Sequence, residues 1–478
     1  MRRGAAAPRT IAIAGVLTAL LAGLAGCSAD QPAPPTEPDT TSSTTTLPPA
    51  TTTSTSRATS TTTTTTIPTT TTTTLAPWAI PADQVAHIEG LVATVEALRG
   101  RSFEVRPWVE TITVEEYAVR HLAVDGTGFG AGGMDYQSAF FELLGMMSPG
   151  TDLADFYARY ENAPPSSFYD PVEREVLIPE QLLPLDDYQS LVLVGELTKA
   201  LSHQHHPSLV ETLVAAEGRD VDRSAAHLAL LEGEAILVQT LYIESLSAEQ
   251  RALIADQARL AAGVEDSGER PVPSLGEVPR LLMETTGFPT RAGAALVIDL
   301  YRQGGFTALD QALDQPPETT EQVLHPDRYR TLEPAAELDP FGLVVTGYLV
   351  VDEGTWGELR WRGLLAHHSD PVSAARAAEG WGGDRYQLLW APASGKLAFA
   401  VRLAADSFVD ESEVNAAVRD LIRSGMDVGA SRVVDTATEW EGADYAMISW
   451  DVGVITWVVA SDTEVGRQIA AQLGVNLA

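Results

Sequence analysis

Cysteine is nearly absent. Cys27 is the only one in 478 residues, so no disulfide can form within the chain and its folded body must be held by its own core. Lysine is almost as scarce, occurring only at Lys199 and Lys396, with arginine supplying the other cations. Positive charge is short overall: 31 Lys and Arg stand against 65 Asp and Glu, a formal net charge of −34. Such a chain is repelled by phosphate backbones and anionic lipid heads, which argues against a nucleic-acid partner. Solubility alone is the simpler reason for the charge. Comfortable membrane spans are missing too, because the apolar stretch Ile11–Leu24 is too short and is interrupted by Gly and Thr. Neither a Gly-x-Ser-x-Gly elbow nor a phosphate-loop motif occurs.

What is there begins with Met1-Arg2-Arg3 and Arg9, then the apolar stretch, then Leu24-Ala25-Gly26-Cys27. Charge, apolar run and small residues in that order read as a secretory signal over residues 1–26. The ending resembles the lipobox of bacterial lipoproteins, which implies cleavage before Cys27, a diacylglycerol on its sulfur, and a membrane anchor on the extracytoplasmic face. Cleavage there removes three arginines and no acids, taking the net charge to −37. Residues 27–76 then form the lipidated cysteine and a stalk of Thr, Ser, Pro and Ala, with threonine runs at 61–66 and 69–74. Too little apolar surface exists there to offset chain entropy, so the stalk is expected to be disordered. Its coil reach is on the order of 40 Å.

The remainder is long enough for two domains. Residues 77–331 read as mainly helical. Val85, Ile88, Leu91, Val92, Val95 and Leu98 recur at helical spacing. Phe103–Val105 and Val109–Val114 read as a strand pair or extended stretch, and Tyr136–Met147 and Leu153–Tyr160 as short helices. A strand is predicted at Glu175–Ile178, then a long helix opened by Asp186-Asp187 and stopped by Pro207. Helices follow at Ser224–Leu246, after the capping box Ser247-x-x-Gln250, and at Pro289–Gln303, closed by Gly304-Gly305. Beyond residue 332 the pattern alternates. Strands are predicted at Phe341–Val351, Glu358–Arg362, Tyr386–Trp390, Leu397–Leu403, Asp444–Trp450 and Val454–Ala460, with helices at Val372–Glu379, Glu411–Arg423 and Asp462–Leu473. The fold class is therefore α+β: a mainly helical domain at 77–331, then an α+β domain at 332–478 with a mainly antiparallel sheet.

The chemically informative element is the helix Leu191–His205. Zinc peptidases of the zincin type hold the metal with two histidines four apart on a helix, because only i and i+4 aim two imidazoles at one point on one face. Phe168-Tyr169-Asp170-Pro171, Glu196-Leu197-Thr198 with Ala200-Leu201 and Gln204-His205, and Glu232-Gly233-Glu234-Ala235 match such a group. So do Phe288-Pro289, Gly304-Gly305, Pro316-Pro317, Thr320–Pro326 and Gly380–Tyr386. In these stretches, over most of residues 81–386, the chain resembles bacterial secreted and lipoprotein gluzincin-like proteins with an HELTHAL-type metal helix. The resemblance implies a zincin-like fold, zinc as cofactor, Glu196 at the general-base position and Glu232 at the third-ligand position.

The departure from that pattern is equally informative. Gly195 and Lys199 stand where the two histidines belong, and neither coordinates zinc: glycine has no side chain, and an ammonium repels a dication. The zinc of the family is thus expected to be lost. Without it Glu196 and Glu232 become partly buried carboxylates lacking a cation, a costly arrangement. Lys199, one turn from Glu196, is expected to fill the metal's place as an ion-pair plug with Glu196 and Glu232. A solvated surface lysine is the plainer alternative. Three functions follow from the pattern. The chain is a non-catalytic, membrane-anchored protein of zincin shape that binds a peptide or protein or serves as a scaffold; or a metallopeptidase with a relocated site at His203, His227 and Glu232; or a metal-free hydrolase with Glu196 as base and Lys199 as electrophile. The first is preferred. The resemblance implies a cleft that holds peptides by strand-like pairing along the sheet edge near Glu175–Ile178.

Overall fold

The computed structural model describes residues 80–117, 120, 134–151, 153, 165–216, 220–261, 279–451 and 453–477. Cys27, the secretory signal, the stalk and most of the helix expected at Leu153–Tyr160 lie outside these residues. Among the described residues no helix is long and apolar enough to cross a membrane.

The first part is helical around a small sheet. Helix α1 (Ala82–Arg99) ends at Gly100, whose φ of 67° provides the left-handed turn a C-cap needs. Strand β1 (Trp108–Ile112) and helix α2 (Met134–Leu143) follow, then strands β2 (Phe168–Asp170) and β3 (Glu175–Pro179). The order is β1-β3-β2, with β1 parallel and β2 antiparallel to β3. Glu175–Ile178 is therefore in the central strand, not at an edge, and the expected peptide edge is not there. Both of its sides already carry ladder hydrogen bonds.

Next come helices α3 (Asp187–His205), α4 (Pro207–Ala216), α5 (Val221–Ser245), α6 (Ala248–Ala261), α7 (Arg280–Asp314), α8 (Thr320–Leu324) and α9 (Pro326–Thr331). Asp186 caps α3 by accepting from Gln189 N. Ser247 and Gln250 form the reciprocal capping box at α6, each side chain accepting from the other residue's backbone N–H. Helix α7 runs well beyond the expected Pro289–Gln303. Pro289 lies inside it, and Gly304-Gly305 make a kink rather than a stop, with helix resuming to Asp314.

The second part holds strand β4 (Leu349–Gly354), helices α10 (Gly357–His368) and α11 (Pro371–Glu379), strands β5 (Trp381–Ala391) and β6 (Lys396–Ala405), and helix α12 (Phe408–Gly425). Strands β7 (Val428–Val434), β8 (Ala437–Gly442), β9 (Tyr445–Asp451) and β10 (Val454–Ala460) and helix α13 (Thr463–Gln472) complete it. The seven strands form one antiparallel sheet in the order β4-β5-β6-β10-β9-β8-β7. With the helices before it, the fold is α+β. Two expectations fail here. Glu358–Arg362 is helical, within α10, because Glu358 and Arg360 are buried along with Leu359 and Trp361 rather than facing water. Phe341–Val351 is a strand only from Leu349. Strand β5 reaches back to Trp381, ahead of the expected Tyr386–Trp390.

On one face of this sheet the aromatic side chains of Trp356, Trp361, Trp381, Phe399 and Trp457 form the main core. Tyr136, Phe140 and Phe141 of α2 join it, with the Phe140 and Phe399 rings 5.4 Å apart. Val221 and Leu281 join it as well. One apolar core thus crosses residue 331 in sequence. On the opposite face α13 and the segment before β4 cover Leu389, Ala398, Tyr445, Met447 and Val458.

Candidate functional site

Helix α3 is buried on almost every side, from Tyr188 to His203. It packs against α5 in the opposite direction: Gln239 donates to Leu191 O near one end, and Lys199 reaches Glu232 further along. The two antiparallel helices thereby bring together residues 33 apart in sequence. Lys199 Nζ lies 2.9 Å from Glu196 Oε2 and 2.9 Å from Glu232 Oε1. Lys199 is no surface lysine; its side chain is 12% exposed. Its one ammonium is shared by two carboxylates, one from each helix.

Burial opposes the charge on Lys199, but the carboxylates of Glu196 and Glu232 outweigh it and hold the ammonium pKa above its usual value. Burial pushes the Glu196 carboxyl up, Lys199 pulls it down, and Glu232 pushes it up again. A hydrogen bond from Tyr169 N, at 2.8 Å, steadies the Glu196 oxygen that Lys199 also holds. Tyr169 lies in β2, an edge strand of the small sheet, so Glu196 occupies a backbone donor of the strand nearest to it.

Gly195 lies under the end of the Gln239 side chain. A Cβ built there would stand 2.6 Å from Gln239 Nε2, whose amide is already bonded to Leu191 O. The residues present do not fit a zinc ion: one expected ligand position has no side chain, and the other places an ammonium between the two acids. Among the described residues no three His, Cys, Asp or Glu side chains gather into a group that could hold a metal. His203, His227 and Glu232 therefore do not form one. His203 Nδ1 instead meets Tyr169 Oη at 2.7 Å, and burial lowers the pKa of its ring. His227 is buried and its pKa is pushed down to about 4, chiefly by desolvation, so its ring is neutral.

Sequence reasoning missed a second charged knot beside the first. Arg99 at the end of α1 binds Glu234 of α5 at 2.6 Å and also Asp310 of α7, and Ser202 of α3 donates to Glu234. Arg101 binds the other Asp310 oxygen at 2.7 Å. The signal was available: Glu234 follows Glu232 by two residues, so the pair cannot share one helix face. His325, at a position the resemblance picked out, lies 2.9 Å from the buried Glu358 of α10.

Residues 347–470 are similar to a domain family of unknown function, DUF8575. No curated protein and no solved structure matches the chain. Glu196, Lys199 and Glu232 lie outside the matched residues.

Proposed function

We propose that the chain is a non-catalytic, lipid-anchored protein of the extracytoplasmic face, in which a zincin-like helix pair keeps its shape through an internal cation in place of zinc. The observation that carries this reading is Lys199 Nζ at 2.9 Å from both Glu196 and Glu232. In the resemblance these two acids are base and ligand, and here both are neutralised by one side chain. Hydrolysis with Lys199 as electrophile is disfavoured, because its ammonium is already committed to two carboxylates, and Glu196 as base is bound to Lys199 and Tyr169 N. What remains is a rigid surface held away from the membrane by the stalk, suited to a protein partner or a scaffold role.

The test restores the ligands. Gly195→His with Lys199→His and Gln239→Ala, the last to open the space above residue 195, is expected to bind about one zinc per chain through both histidines and Glu232. Zinc is read by elemental analysis after dialysis, and folding by circular dichroism. A folded triple variant holding no more zinc than the wild type would sink the assignment. Cys27→Ser is expected to move the protein from the membrane to the soluble fraction.

A further inference from the structure

The C-terminal sheet pairs two arginines directly across neighbouring strands. In the antiparallel register of β5 and β6, Arg385 stands opposite Arg402, so both side chains leave the same face of the sheet, about 5 Å apart at Cβ. Like charges in that position are destabilising, by about 0.2–1 kcal/mol relative to a neutral pair. In a chain with twice as many acids as bases the usual remedy is a carboxylate between them. None is there: among the described residues neither arginine has an acidic side chain within salt-bridge distance. Arg385 donates to Thr355 Oγ1 at 3.3 Å. Arg402 donates to Leu473 O at 2.8 Å, at the C-terminal end of α13, and lies over the Phe341 ring. The acid nearest in register, Glu353, is tied to Gln387 Nε2 at 2.6 Å, one pair along the strand.

Both arginines are half-buried, and each is fixed by a neutral partner that leaves most of its guanidinium donors unspent. Arg402 has a structural duty, since a cation at a helix C-terminus satisfies its carbonyls and its dipole. Arg385 has only a long bond to a hydroxyl. Two half-buried guanidinium groups on neighbouring strands, with donors unspent and no anion from the protein itself, offer a carboxylate or a phosphate the bidentate bonding that guanidinium favours.

We propose that Arg385 and Arg402 form a binding site for an oxyanion group, a carboxylate or a phosphate, on the α13 face of the C-terminal sheet. This site is far in sequence from Lys199 and does not depend on the zincin reading. The overall negative charge of the protein works against stray anions, so an occupant must use both forks rather than general attraction.

The full chain is titrated calorimetrically with inorganic phosphate and, separately, with citrate, at an ionic strength held constant with sodium chloride. Saturable binding of at least one of the two is expected, and the tighter arm identifies the source of the oxyanion. Arg385→Gln is expected to weaken it ten-fold or more, and Arg302→Gln, an exposed arginine on α7, to leave it unchanged. Arg385→Lys keeps the charge but loses the fork and is expected to fall between, which keeps the test readable if the glutamine variant is unstable. Absence of binding in both arms, or equal binding in Arg385→Gln and wild type, overturns the proposal.

Discussion

Between α3 and α5 the interior holds Lys199 between two carboxylates, and beside it Arg99 between Glu234 and Asp310. Beneath the seven-stranded sheet the interior holds Trp356, Trp361 and Trp381 around the carboxylate of Asp384. That carboxylate accepts from Trp356 N at 2.6 Å, Gly357 N at 3.1 Å, Trp361 Nε1 at 2.9 Å and Trp381 Nε1 at 2.7 Å. These two sites meet buried anions differently, Glu196, Glu232 and Glu234 with cations and Asp384 with neutral donors, while Glu439 of the sheet half is held by Arg432 and Arg467. In the helical half each cation reaches a carboxylate of another helix, Lys199 that of Glu232 and Arg99 those of Glu234 and Asp310, and so locks elements together. In the sheet half the acid organises aromatic rings that would bury themselves anyway.

Removing the acid from the sheet half is expected to have the largest effect. Asp384→Ala leaves four buried donors unpaired, at about 1 kcal/mol or more each, for a loss near 4 kcal/mol in urea unfolding. The near-ultraviolet tryptophan signal should weaken with it. A loss below 1 kcal/mol would mean that the rings alone define this core. In the helical half Lys199→Met strands two carboxylates and is expected to cost about 3 kcal/mol. Adding Glu196→Gln and Glu232→Gln should recover most of that, because no charge is then left without a partner. If the triple variant is no more stable than the single one, the plug is not what holds these helices.

Acidity acts on groups in both halves. Glu321, in α8 at the junction, has its carboxyl pushed up to about 8 by burial, with Arg328 offsetting only part because it also serves Glu333 and Asp406. A carboxyl raised in the folded state takes up a proton on folding, so its contribution is lost as pH rises towards 8. His227 and His367 are pushed down to about 4, mainly by burial. Their contribution is full above about 6.5 and is lost as pH falls towards 4. The melting temperature is therefore expected to peak near pH 6.5. Glu321→Gln should flatten the alkaline limb, worth about 2 kcal/mol between pH 6.5 and 8, and steepen the acid limb, because between about 4.5 and 6.5 this carboxyl opposes the histidines. The smallest effect is local: Ser247→Ala should cost about 1 kcal/mol by unmaking the capping box of α6. A change much larger than that would show that α6 is tied to the rest of the helical half more tightly than its cap suggests.

How much was legible follows the same division. Asp186 and Ser247 act within three residues of themselves, and both caps could be read directly. Lys199 was readable because its rarity drew attention and Glu196 lies one turn away. Its second partner, Glu232, needed the resemblance. In the sheet half, β5, β6, β9 and β10 were visible because apolar residues crowd both faces. Strands β7 and β8 were not: β7 is nearly all exposed and carries no buried stripe. Helix α10 was read as a strand from the alternation Glu358-Leu359-Arg360-Trp361-Arg362. That reading assumes the polar members face water, whereas Glu358 is paired with His325 inside the fold. The shared core was hidden for another reason, since α2 reaches the sheet from more than 200 residues upstream.

The Gln239 amide above Gly195 bears on how the two helices are joined. Any side chain added at residue 195 meets the end of Gln239 first, and that same amide donates to Leu191 O and ties α5 to α3. Enlarging residue 195 therefore displaces a bond between the helices rather than a mere neighbour: Gln239 is at once the roof over residue 195 and a clasp between α3 and α5.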